Sequence, residues 1–592
     1  MRIPAFSYLW IILLIVAVSG CDFEKNKHTT NNINNDAGTD ADATDGELDA
    51  DADGDVPDEV NWEACPSYLA LDVRFKCAHV QLPLDHEVPD ATGIGVFIYK
   101  REAVVSQGKK QVWFLQGGPG GTGAVFAEIF QIYAIAHPEW EMYSIEHRGV
   151  GNSERLTCSQ EFAGGEFDYG GCAQELTDQW GDGLGLFNTT QAARDLAAVI
   201  DRTRENGVPV IVYGVSYGTY WALRYLRLYP EHSDGVILDS ICAPGHCTLD
   251  EYDRNFDENG MMVMDACLSD ATCGAKLSTI DADPWTAVGN VFAKVDAGTL
   301  CDGEYPFLDR PLLRQVLAMM EADFSLRPLI GALLYRLNRC DESDKGVLDY
   351  FISILSGGKK GNKIFDIQNS TSRLDASYTL GTNIITSELL GTLSLAEVQA
   401  IEDAAFFSSD GSVDMVRMSA EEIWPKYGDD GHKNRFGATS TPLLMLNGLL
   451  DPQTTLAMAV PARDYYTGAN QTFVEVPYAP HGIAFVSFTD DAMAAYMQGS
   501  YEYLTMTCGF TMMEAFITDP TAAVDSSCLS EFYPLEFSAD SELNMALSSA
   551  YFGTSDMYEG SVQKSSPAPF TPPLNPVRTS PRGPSFDRAV AR

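Results

Sequence analysis

The stretch PVIVYGVSYGTYWALRYL, Pro209 to Leu226, constrains the fold more than any other part of the chain. A run of mostly apolar, β-prone residues enters Gly-Val-Ser-Tyr-Gly at Gly214–Gly218, and a helix-like run follows at once. A buried strand must therefore turn into a helix across one serine flanked by two small residues. Two physical reasons exist for that pattern. The G-x-S-x-G elbow exposes a serine oxygen at the end of a sheet. Alternatively, small residues only let a helix start close under a strand. The pattern alone is weak, and the rest of the chain has to decide.

Strand and helix patterns alternate around the stretch. KCAHVQLPLD, GIGVFIYKR, QVWFLQ and EMYSIE read as strands. TTQAARDLAAVIDRTREN reads as an amphipathic helix opened by Thr caps. GVILDS follows as the sixth strand. From about Gly245 to Gly437 the pattern becomes helical, as in RPLLRQVLAMMEADF and SLAEVQAIEDAAFF. Alternation resumes with PLLMLNG, TTLAMAVPARDYY and TFVEVP. This order predicts an α/β fold: a parallel sheet covered by helices, with a helical cap inserted after the sixth strand. The expected boundaries are a core in two parts, 61–244 and 438–535, a cap at 245–437, and an extension with a Pro/Ser-rich tail at 536–592.

The chain begins MRIPAFSYLWIILLIVAVSGC, an export signal over residues 1–20 that is too short to favour a spanning helix. VSGC resembles a bacterial lipobox, which implies cleavage before Cys21 and lipidation of its sulfur; an ordinary signal peptide with an incidental Cys is the alternative. Asp22 bears on sorting between inner and outer membranes without deciding it. Residues 21–60 read as an acidic tether. Within it Asp49, Asp51, Asp53 and Gly54 imitate a calcium loop, but Val60 stands where the bidentate Glu belongs, so a solvated spacer is the better reading. Net charge is −44, which argues against nucleic acid or anionic lipid as a partner. The membrane is expected to be met through the lipid anchor alone.

Thirteen cysteines leave twelve once Cys21 is set aside, an even number in an exported chain. Cys65 lies near Cys77, Cys158 near Cys172, Cys242 near Cys247, Cys267 near Cys273, and Cys508 near Cys528; Cys301 and Cys340 remain. Six bridges are the economical expectation. No zinc-like spacing is present, so no metal is expected.

A serine hydroxyl needs a base, and the base needs a group that fixes its tautomer. If Ser216 is the nucleophile, the order Ser, acid, His places the base late in the chain. His481, in YAPHGIAF after the last predicted strand, fits; His432 lies in a polar segment before PLLMLNG. Asp451, in PLLMLNGLLDPQT, is the expected acid, with Asp239 after GVIL as runner-up. GGPGG after VWFLQ offers backbone donors for an oxyanion, and Gly118 and Tyr217 are assigned as those donors through their N–H groups.

GGPGG (Gly117 to Gly121), EHRGVGNS (Glu146 to Ser153), GVSYG, LDPQT and PHG together resemble the proline iminopeptidase and tripeptidyl aminopeptidase branch of the α/β-hydrolases. WEACPSYLALDVRFKCAHVQLPLDH, with Trp62 and its paired Cys, resembles the start of the exported tripeptidyl aminopeptidases. The Cys508 to Cys528 segment resembles their C-terminal region. Gln116 and Glu146 depart from the family, which often has His and Asp there. The resemblance implies an α/β-hydrolase fold and a serine aminopeptidase acting through an acyl-enzyme on peptides with a free N-terminus. No cofactor is expected, because hydrolysis through a serine, a base and an acid needs none. A monomer is expected. An esterase or acyltransferase with the same triad, and a non-catalytic surface binding protein, are the competing readings. The cap is well supplied with acids that could dock an α-ammonium, among them Glu321, Asp323, Glu421 and Glu422.

Overall fold

The computed structural model of the chain describes residues 60–88, 92–162, 167–355, 376–409 and 411–562. The export signal, Cys21, the calcium-like run and most of the tether lie outside the described residues, as does the tail beyond 562.

Among the described residues nine strands form one sheet: β1 (Glu63–Ala64), β2 (Phe75–Pro83), β3 (Gly93–Arg101), β4 (Lys110–Leu115), β5 (Trp140–Ile145), β6 (Val210–Val215), β7 (Gly235–Asp239), β8 (Leu443–Gly448) and β9 (Gln471–Val476). Their order is β1-β2-β3-β5-β4-β6-β7-β8-β9. The first three strands and the β3–β5 pair are antiparallel, and every pair from β5 onward is parallel. β6 is buried at every position, as its continuous apolar run requires of a central parallel strand. The period of two then divides the core. Val112, Phe114, Ile211, Tyr213 and Val215 point to one face with Phe126 and Phe130; Trp113, Leu115, Val210 and Val212 point to the other with Leu196, Trp221 and Leu223.

One local expectation is corrected, and one strand is added to the count. The helix at Thr189–Thr203 is capped by Asn188, whose side chain accepts from the Gln191 N–H, while both threonines lie inside the first turn. Asn is as good a cap as Ser or better, and here it precedes them. The cap follows the strand GVILDS as expected; that strand is β7 here because two-residue β1 carries no periodicity that a sequence could display. Counted without β1, the insertion follows the sixth strand.

Helices from Tyr252–Ser269 to Ser412–Ala420 fill the interval between β7 and β8, yet the two strands stay paired from Val236↔Leu443 to Asp239↔Leu446. The insertion therefore enters and leaves at one end of the sheet without breaking the ladder. Among the described residues six disulfides join Cys65–Cys77, Cys158–Cys172, Cys242–Cys247, Cys267–Cys273, Cys301–Cys340 and Cys508–Cys528. Among the described residues no helix is long and apolar enough to cross a membrane.

The segment after residue 535 closes on the cap. Its helix Glu542–Tyr551 buries Leu543, Leu547 and Tyr551, and Phe552 packs edge-on to Phe351. Arg336 is fully buried and donates to the carbonyls of Met557 (2.7 Å), Asp556 (3.1 Å) and Gly560 (2.9 Å), and to the Asp344 carboxylate (2.8 Å). Removing one partner from such a buried ionic site costs about 3–5 kcal/mol. Arg336→Met should lower unfolding stability by about that amount in denaturant titration. An unchanged midpoint would mean that the extension is a loosely attached appendage.

Candidate active site

β6 ends in a backbone conformation that side chains rarely adopt. Ser216 has φ 60° and ψ −129°, and the helix Tyr217–Leu228 begins at the next residue. Such a conformation costs on the order of 1–3 kcal/mol and persists only where the surroundings enforce it. The flanking glycines show why. A Cβ at Gly214 would stand 2.3 Å from the Gly218 carbonyl, and one at Gly218 would stand 2.3 Å from the Leu115 carbonyl. The helix thus starts against the ends of β4 and β6, and both reasons for the glycines hold at once. Ser216 stays half-buried at the sheet's end.

Asp451 and His481 meet beyond β8 and β9. The imidazole Nδ1 lies 3.0 and 2.9 Å from the two carboxylate oxygens of Asp451. Asp451 also accepts from the N–H groups of Gln453 (2.9 Å) and Thr454 (3.0 Å) and from the Thr454 hydroxyl (2.8 Å). Burial pushes the Asp451 carboxyl up, but His481 and the Thr454 donors outweigh it and hold the group below its ordinary range. With Nδ1 facing a carboxylate, the neutral ring carries its proton there and leaves Nε2 as acceptor.

Asp239 is placed differently. Its carboxylate accepts from Ile483 N–H (2.7 Å), Ala484 N–H (2.8 Å) and Tyr213 OH (2.7 Å), and its carbonyl accepts from Ser216 N–H (3.0 Å). Next to it, Ser240 Oγ accepts from Gly482 N–H (2.8 Å). One residue pair at the end of β7 therefore holds both the elbow and the turn that follows His481.

Gly117 lies against the serine: a Cβ there would be 2.7 Å from Ser216 Cβ. Its N–H donates to the buried Gln116 side-chain carbonyl at 2.7 Å. Gly118, at φ 117°, and Tyr217, the first residue of the elbow helix, are the other backbone groups at this corner. Glu146 accepts from Thr122 Oγ1 (2.7 Å) behind the loop. Arg148 is fully buried and grips both oxygens of Asp195 at 2.7 Å, and it donates to the carbonyls of Pro83, Leu84 and Leu186. The EHRGVGNS segment is thus an internal brace. Burial pushes the neighbouring His147 imidazole down to about 4, so it sits neutral against Tyr217 OH (3.2 Å).

The cap acids separate by environment. Glu421 and Glu422 are exposed. Asp323 accepts from the Ser325 N–H (2.8 Å) and hydroxyl (2.6 Å). Glu321 is fully buried, and neither of its oxygens has a hydrogen-bond partner. His432 lies in the separate polar loop, its N–H on Asp430 (2.8 Å). Three residues at the site were not singled out from the sequence: Thr454, Arg327 and Glu388. D-x-x-T in LDPQT is a turn signal that could have given Thr454. Glu388, on the cap helix Tyr378–Glu388, receives Thr189 N–H (3.1 Å), Tyr220 OH (2.9 Å), Arg224 (3.1 Å) and Tyr427 OH (2.7 Å), contacts between distant segments. Among the described residues no group of three or more His, Cys, Asp or Glu could hold a metal ion.

Residues 112–258 match a family model described as alpha/beta hydrolase fold. Over 224 residues the chain is 26% identical to tripeptidyl aminopeptidase of Streptomyces lividans, and equally to that of Streptomyces coelicolor. These alignments take in 34% of this chain and 41% of each relative, so less than half of either relative's length is matched. A proline iminopeptidase structure from Mycobacterium smegmatis aligns at 12% identity and TM-score 0.31, over 75% of this chain and 99% of that one. The sheet order and the family match together give the chain an α/β-hydrolase fold.

Glu321 generates a pH-dependent prediction. Burial raises its carboxyl well above the ordinary range, more than nearby Arg327 lowers it. Above the unfolded pKa of about 4.3 the unfolded chain releases this proton while the folded chain keeps it. Stability is therefore lost as pH rises from that value toward the folded pKa. Glu321→Gln should raise the unfolding temperature near pH 8 and leave it unchanged near pH 4. An equal change at both would show that the carboxyl's ionisation plays no part.

Proposed function

We propose that this α/β-hydrolase-fold chain is a serine peptidase that releases residues or short peptides from free N-termini. The observation that carries the reading is the paired geometry of β7, β8 and β9. Asp451 holds His481 Nδ1, while Asp239 ties the turn after His481 to the Ser216 elbow. In the proposed mechanism Ser216 Oγ attacks the scissile carbonyl and His481 Nε2 takes its proton. Asp451 stabilises the imidazolium without itself becoming protonated. The backbone N–H groups of Gly118 and Tyr217 receive the oxyanion. His481 then gives the proton to the leaving amine, and the acyl group remains on Ser216. Water attacks that ester with His481 again as base. The chemistry needs no cofactor.

The tripeptidyl aminopeptidase likeness supports a peptide substrate, and the cap supports end selection. Ser377 N–H donates to the Gly120 carbonyl (2.9 Å), and Gly121 bridges to Ala376, so the cap rests on the oxyanion loop itself. A cap seated there narrows the entrance and disfavours the interior of a long chain. Six disulfides support an exported chain, since such bonds persist in oxidising compartments. With Cys21 lipidated, the enzyme would stand on a bacterial cell envelope.

An N-terminal ammonium bound by a charge-assisted contact contributes about 1.5–3 kcal/mol, or roughly one to two decades in kcat/KM. Acetylating the N-terminus of a good peptide substrate should therefore lower kcat/KM by at least about tenfold. The test compares free and acetylated forms of one peptide, with short acyl esters alongside. Equal rates on both peptides would reject the aminopeptidase reading, and turnover of the esters alone would favour an esterase.

A further inference from the structure

Arg327 lies in the turn between the cap helices Arg310–Glu321 and Leu329–Arg339, far in sequence from Ser216, Asp451 and His481. It is fully buried. A guanidinium in that position normally faces a carboxylate, yet among the described residues no ion pair holds it. Its donors end on three backbone carbonyls instead. Nε donates to Glu321 O, Nη1 to Tyr478 O at 2.8 Å, and Nη2 to Leu450 O.

The last two carbonyls are the informative ones. Leu450 directly precedes Asp451, and Tyr478 stands three residues before His481. Tyr478 is held at φ 54°, so the backbone is tightly turned where the guanidinium meets it. The loops also touch each other, with Leu450 N–H on the Ala479 carbonyl at 3.2 Å. Asn259, on the cap helix Tyr252–Ser269, donates to the Asp451 carbonyl at 3.3 Å and adds a second contact to the acid loop. A planar fork with fixed donor directions sets the spacing between two acceptors in a way that an ammonium does not.

We propose that Arg327 is a positioning residue of the His481–Asp451 pair: a side chain carried by the cap fixes the two loops whose separation sets the base against the acid. The inference rests on the serine-peptidase reading and deepens it. It makes correct seating of the cap a condition of the base's alignment. It also places a positive charge within electrostatic reach of the pair. Burial lowers the Arg327 guanidinium to about 10, so it remains charged at neutral pH.

The test measures the rate at which a fluorophosphonate probe labels Ser216 in the full chain, as a function of pH, for wild type, Arg327→Gln and Arg327→Lys. Thermal unfolding of each is followed alongside. Arg327→Gln should label at least about tenfold more slowly, with KM for a peptide changed much less than kcat. Losing a nearby cation favours the imidazolium, so the pH midpoint of labelling should rise in Arg327→Gln. Arg327→Lys keeps the charge and loses the fork: its midpoint should stay near wild type while its rate remains reduced. A folded Arg327→Gln with wild-type rate and midpoint would overturn the proposal. If Arg327→Gln does not fold, Arg327→Lys decides, and wild-type labelling by it overturns the proposal equally. Failure of the wild-type chain to label at Ser216 would instead overturn the serine-peptidase reading, and the clamp with it.

Discussion

Asp239 joins two parts of the molecule that the chain keeps far apart. Its carbonyl receives the N–H of Ser216, and its carboxylate receives two N–H groups just past His481. A hydrogen bond to a charged group is worth about 1.5–3 kcal/mol, enough together with its partners to offset the cost of a strained serine. Burial still leaves the Asp239 carboxyl raised, because desolvation outweighs its amide and tyrosine donors. Asp451 and Asp239 are therefore buried acids in different roles. Asp451, held low, orients an imidazole; Asp239, held high, organises backbone.

The cap depends on the same loops. It touches the Gly117–Gly121 loop through Ser377, the loop at Leu450 and Asp451 through Arg327 and Asn259, and the loop before His481 through Arg327 again. All these contacts end on backbone groups of the sheet domain, so they constrain where the loops run. Glu388 adds a buried polar junction between the cap and the elbow helix, where Arg224 neutralises it at 3.1 Å. In the proposed serine-peptidase reading, a cap that grips the framework of the site couples access to alignment.

The frame of this molecule was legible because its signals are local. β6 is a run of apolar residues, Gly214 and Gly218 bracket the serine in sequence, and alternating strands and helices imply a parallel sheet. Six bridges were the economical reading of twelve cysteines, but which cysteine pairs with which, Cys301–Cys340 above all, is fixed only by the fold. The nearness of Asp451 to His481 could be anticipated from their places after successive strands. What escaped is non-local. Nothing around Arg327 hints that its guanidinium ends 123 residues away, and nothing around Glu321 distinguishes it from the exposed Glu421. The N-cap at Asn188 was missed because three adjacent residues were all plausible caps, and only backbone geometry separates them.

The central claim is that Ser216 carries the acyl group during turnover. The most direct measurement is the intact mass of the enzyme quenched in acid during hydrolysis of an activated aminoacyl substrate, followed by peptide mapping of the adduct. The account predicts an adduct equal to the substrate's acyl group, located on Ser216 and absent from Ser216→Ala, whose kcat should fall by about 10³-fold or more. An adduct on another residue, or a Ser216→Ala chain that keeps most of its turnover, would contradict it.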